Sequence, residues 1–166
     1  MSSIPQSDFA TEIPDRLRPF LLVAVADGID EQYRPVVAEF GAACRLIAAH
    51  ARCDRRAQAI FTLGFIESAL PGGSGIWSFR PAKHIINVVV QDIIFINCPK
   101  MFHHAKTPAL RTATILEELV HFYMSVTDED LVSRIVCWLL PSVEWTGSVY
   151  REVAASTPGT HTPTIV

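Results

Sequence analysis

The sequence predicts an α+β fold, and three observations carry that prediction. Apolar residues repeat at helical spacing between Tyr33 and His50 and again after Asp54. The period then changes, because Ile76 to Phe79, His84 to Val90 and Asp92 to Cys98 are short runs rich in β-branched and aromatic residues. Helical pattern returns behind Thr107-Pro108, a cap followed by a proline suited to a first helical turn. The expected order is therefore N-terminal helices, a small antiparallel sheet, a central helix and one further helix.

Each element has its own reason. In the first helix Val36, Val37, Phe40, Ala43, Leu46 and Ile47 form an inward stripe, with Pro35 in its first turn. A second helix is expected from Asp54, as cap, to about Leu70, with Ala57, Ile60, Phe61 and Phe65 facing inward, before Pro71-Gly72-Gly73-Ser74-Gly75 stops it. Arg80-Pro81-Ala82-Lys83 separates the strands, and Asp92 to Asn97 is the most apolar of them. From Ala109 to about Ser125 apolar residues surround Glu117, Glu118 and His121, which predicts a central helix. The last helix opens at Thr127-Asp128-Glu129-Asp130 and runs through Leu131, Ile135, Val136 and Leu139 to Pro141. One domain over residues 1–155 is expected, with a mobile tail at 156–166 rich in Thr and Pro.

Composition narrows the function. The chain has 166 residues, 49% of them hydrophobic and 19% charged, enough to bury one core. A net charge of −3 gives no general attraction to nucleic acid. Arg45, Arg52, Arg55 and Arg56 cluster, and read as a solvated face. Cys44, Cys53, Cys98 and Cys137 lack metal-ligand or CxxC spacing and are expected as free thiols in a reducing compartment. The N-terminus has no apolar stretch behind a basic start, and the runs Phe20 to Ala26 and Ile85 to Val90 are too short to span a bilayer. A cytoplasmic protein without membrane or nucleic-acid partners is the expectation.

One stretch carries chemistry. In Glu117-Glu118-Leu119-Val120-His121, positions 117 and 121 share a helical face and can grip one cation together, while Glu118 stands close enough to take a proton from a bound water. Plainer readings exist: Glu118 and His121 as an i, i+3 pair, and Asp130 as partner of Thr127 in a capping box. Three ionisable groups in an apolar helix nonetheless need a partner, a ligand or a wet cleft. His103 and His104, just ahead of this helix, are candidates for a further ligand, although adjacent loop histidines are usually exposed. No Gly-x-Ser-x-Gly elbow is present, and Gly72-Gly73-Ser74-Gly75 lacks the lysine of a phosphate loop. Trp77, Trp138 and Trp145 are expected in the core.

The order of these parts resembles the ImmA/IrrE-like branch of the zincin metallopeptidases. Leu116-Glu117-Glu118-Leu119-Val120-His121 stands where that family has His-Glu-x-x-His, and Asp128-Glu129-Asp130-Leu131 followed by Cys137-Trp138-Leu139-Leu140-Pro141 stands where it has its acidic ligand and apolar run. The resemblance spans about Ile76 to Pro141. It implies a divalent metal ion, zinc first with manganese or iron as alternatives, held by Glu117, His121 and Asp130. It also implies Glu118 as general base and a peptide or protein substrate. The sequence departs at Glu117, where the family has its first histidine, and in the nine residues from His121 to Asp130, a shorter connection than usual. A carboxylate there adds negative charge and weakens the Lewis acidity of a bound ion. Two alternatives follow: a degenerate pseudo-peptidase serving as a binding or regulatory module, or a non-haem iron enzyme of a small biosynthetic pathway.

Overall fold

The computed structural model describes residues 4–25, 29–55, 59–64 and 93–153. Its architecture is α+β. Among the described residues there are five helices and a three-stranded parallel sheet, and a separate antiparallel pair follows the last helix. Helix α1 spans Gln6–Glu12, strand β1 Leu21–Val25, helix α2 Val36–His50, and strands β2 and β3 Ala59–Gly64 and Ile93–Asn97. Helices α3 (Cys98–His104), α4 (Pro108–Met124) and α5 (Glu129–Leu139) follow, and strands β4 (Val143–Trp145) and β5 (Tyr150–Glu152) close the described chain.

Three expectations change. Ala59–Gly64 is not part of a helix after Asp54; it is the middle strand of the sheet, with Leu22 opposite Ile60 and Phe61 opposite Ile94. A parallel strand between two neighbours reads as a continuous apolar run, and so short a run also satisfies helical spacing. Residues 65–70 lie outside the described part. Second, Ile93–Asn97 forms a strand, as expected of that run, but pairs parallel to β2, and Ile76 to Asp92 lie outside the described residues. The antiparallel pair is instead β4 and β5, with Trp145 opposite Tyr150. Third, the run from Phe20, read only for its length, holds strand β1.

The helices that matter for the site match their spacing closely. Thr107 caps α4 by accepting the Leu110 amide at 3.3 Å, with Pro108 in the first turn. Asp128 caps α5 by accepting the Leu131 amide at 2.8 Å, so the capping residue is Asp128 rather than Thr127. Helix α4 packs against α2 on one side and α5 on the other. Phe40, Ile47, Ile115, Leu116 and Leu119 are fully buried in this core. Each such side chain contributes about 1.5–3 kcal/mol by leaving water.

Polar bonds fix α4 along its axis. Arg111 meets Glu39 of α2 through Nε at 2.8 Å and 2.9 Å and Nη2 at 2.6 Å, with both side chains nearly inaccessible to solvent. Arg111 Nη1 also donates to the carbonyls of Ala105 and Lys106, and its guanidinium lies 4.4 Å from the Phe102 ring centroid. At the other end the Tyr123 hydroxyl donates to the Phe20 carbonyl at 2.8 Å, just ahead of β1. Among the described residues no helix is long and apolar enough to cross a membrane.

Candidate metal centre

Helix α4 ends at Ser125, whose left-handed backbone (φ 59°) turns the chain back toward the helix. The turn brings the Val126 carbonyl to 2.7 Å from His121 Nδ1. A carbonyl only accepts, so Nδ1 carries a proton, and Nε2 is left to face outward. Nε2 lies 3.2 Å from Glu129 Oε2, on the first residue of α5. Glu117, one turn before His121, completes a group: one oxygen from each glutamate and one ring nitrogen all lie within 4.8 Å of one another.

These distances suit a small cation. Ligands about 2.0–2.2 Å from a tetrahedral ion stand about 3.3–3.6 Å from each other. The His121 to Glu129 separation of 3.2 Å is close to that range, and the nearest Glu117 oxygen lies within 4.8 Å of both. The imidazole held through its other nitrogen by a backbone carbonyl is the arrangement common among metal-ligating histidines.

Titration directions show unrelieved negative charge. Burial raises the Glu117 carboxyl above its usual range, and the Glu118 and Glu129 carboxylates add to it, against weaker opposing effects of His121 and Tyr150. Loss of solvent around Glu118 raises that carboxyl as well, with His121 pulling it down and Glu129 pushing it up. Burial would lower His121, but the bond to Val126 and the Glu129 and Glu118 charges outweigh it, so the imidazole is raised. Glu118 and Glu129 are exposed and Glu117 is half-buried, so Glu117 is the carboxylate that gains most from a proton or a cation.

Of the three residues expected as ligands, the structure brings Glu117 and His121 together and leaves Asp130 outside the group. Asp130 points away from the group; it pairs with Arg134 Nη2 at 2.8 Å and accepts the Trp145 indole N–H at 3.1 Å. Glu129 stands in its place. The buried stripe of α5, Val132, Val136 and Leu139, explains why. Three residues before Val132 stands Glu129, exposed but on the edge of α5 that meets His121, whereas Asp130 shares the i, i+4 face with Arg134. The apolar stripe in the sequence gives α5 a buried face, and only its docking shows which acid meets His121.

The other candidates lie elsewhere. Glu118 is exposed beside the group and electrostatically coupled to His121 and Glu129. His103 and His104 are exposed, their rings 4.7 Å apart, and neither belongs to the group. Trp138 is 67% exposed against His50 rather than in the core. Arg45 pairs with Glu12 at 3.0 Å, as a solvated face would. All four cysteines are free. His84, His161 and Trp77 lie outside the described residues.

A cleft of about 280 Å³ opens beside the group, with Glu117 in its wall. Its far wall is the β4–β5 pair, which contributes Trp145 and Tyr150 with ring centroids 5.1 Å apart. The hydroxyls of Tyr150 and Ser133 are buried nearby without a hydrogen-bond partner of normal geometry. Comparison of the chain with protein-family models, with curated proteins and with solved structures finds no match.

Proposed function

We propose that Glu117, His121 and Glu129 hold a divalent cation, zinc first, and that the protein is a metal-dependent hydrolase of peptide or related amide bonds. The observation that carries this reading is the His121 ring, anchored at Nδ1 by the Val126 carbonyl and presenting Nε2 toward two carboxylates. The cation would supply Lewis acidity and an acidified water. Glu118, with its raised carboxyl, would serve as the base for such a water. Manganese or iron would suit the oxygen-rich donors if the site proves too hard for zinc. Four free thiols favour a reducing, cytoplasmic address.

Elemental analysis of the purified protein tests the reading, with about one ion per chain expected. Glu118→Gln should retain that ion while abolishing amide hydrolysis. The donor set also favours a second reading, a binding module without catalysis, because two carboxylates blunt the Lewis acidity of the ion. Bound metal without hydrolysis in the wild type would select that module. Colour with ferrous iron and oxygen-dependent turnover would select the iron enzyme, and absence of binding after loading with zinc, manganese or iron would sink the metal site.

A further inference from the structure

We infer that the cleft beside Glu117 is the subsite for substrate, and that it takes a short uncharged peptide segment carrying an apolar side chain; this rests on the cation site proposed above. Leu110, Thr114 and Glu117 are consecutive turns of one face of α4, and all three line the cleft. Seven residues of helix span about 10 Å, the length of about three residues of extended chain. The cleft therefore runs as a short groove along α4, with the cation group at its Glu117 end.

The opposite wall defines what fits. Trp145, Val149 and Tyr150 come from the hairpin. The Trp145 ring is held in place by its bond to Asp130, which gives that residue a use other than metal ligation. Fixed aromatic surface binds an apolar arm with little loss of freedom. Among the described residues no lysine or arginine lines the groove, and His104, exposed at its rim, is the one basic side chain there. Its one carboxylate, Glu117, is the one a cation would neutralise. The Tyr150 hydroxyl is buried between Glu117 and Ser133, which fixes its ring at the Glu117 end of the groove. A volume of about 280 Å³ sits at the low end for ligand pockets and suits one large side chain with its flanking amides.

Calorimetric titration of the full-length zinc-loaded protein with N-acetyl-phenylalaninamide tests the inference, with N-acetyl-glycinamide as the probe lacking an apolar arm. Saturable binding of the first, at least tenfold tighter than the second, is expected. Thr114→Phe, which fills the groove floor, and Val149→Lys, which charges the far wall, should each weaken it at least tenfold. Both variants should keep the visible spectrum of bound cobalt(II). If Thr114→Phe loses its circular dichroism, Val149→Lys decides alone. Equal binding of the two probes, or undiminished binding in the folded variants, overturns the subsite. The cobalt spectrum of the wild type reports on the cation separately: amide binding without cobalt binding defeats the metal reading and leaves the groove, and the reverse defeats only the groove.

Discussion

Replacing Arg111 by Met removes the guanidinium that pairs with Glu39, and the loss can be worked from the structure. Both side chains are almost fully buried, 9% and 4% exposed, so the orphaned Glu39 carboxylate has no route to water. Breaking such a pair by removing one partner typically costs about 3–5 kcal/mol. An unpaired buried carboxylate takes up a proton rather than remain charged, which limits the cost to the free energy of protonating an ordinary glutamate, about 3.7 kcal/mol at pH 7. The bonds to the Ala105 and Lys106 carbonyls are lost as well, so about 3–4 kcal/mol is the expected deficit at pH 7. For a chain of this length that is a fall in Tm of about 6–16 °C. The deficit should shrink by about 2–3 kcal/mol at pH 5, where protonating an ordinary glutamate costs only about 1 kcal/mol. Urea unfolding followed by circular dichroism at the two pH values measures both numbers. The double variant Glu39→Leu/Arg111→Met should recover most of the loss, because apolar replacement removes the orphan charge. A single-variant deficit under 1 kcal/mol, or one independent of pH, would refute the account of how α4 is anchored two turns before Glu117.

Three further outcomes are expected. Glu129→Ala should weaken zinc binding at least tenfold, whereas Asp130→Ala should change it less than threefold; equal losses would return Asp130 to the ligand set. Glu117 and His121 both have raised folded values, above the ordinary 4.5 and 6.5, so their contribution to apo-protein stability is present at low pH and lost as pH rises through those raised values. Zinc at about a hundred times its Kd at pH 8 should add about 2.7 kcal/mol, or about 5–10 °C in Tm, and at least 1.4 kcal/mol less at pH 5.5, where His121 is protonated; equal thermal shifts at the two pH values would contradict this. Asp128→Ala removes the cap of α5 and should cost about 1 kcal/mol in urea melts, with a measurable loss of zinc affinity because Glu129 is the next residue.

The helices on either side of the site were legible because their signals are local. The Val36 to Ile47 stripe and the Thr107-Pro108 start each express packing or capping within one element, and α2 and α4 lie within a few residues of the expected bounds. The strands were harder. Ala59–Gly64 satisfies helical spacing as well as strand propensity, and only its two parallel neighbours, distant in sequence, decide between them. Arg111 passed unnoticed because its partner Glu39 stands 72 residues away.

The amino-acid sequence alone determined that Glu117, Glu118 and His121 share one helix and that 117 and 121 share a face, since a helical period needs no other element to express it. It also determined that acidic residues open the next helix. Tertiary structure decided which of those acids comes inward: the burial of Val132, Val136 and Leu139 against α4 sets the rotation of α5, turning Glu129 toward His121 and Asp130 toward Arg134. The groove beside Glu117 likewise exists only once the β4–β5 pair lies across α4. Rotation and docking of whole elements depend on complementary surfaces from remote parts of the chain, and no local pattern encodes them.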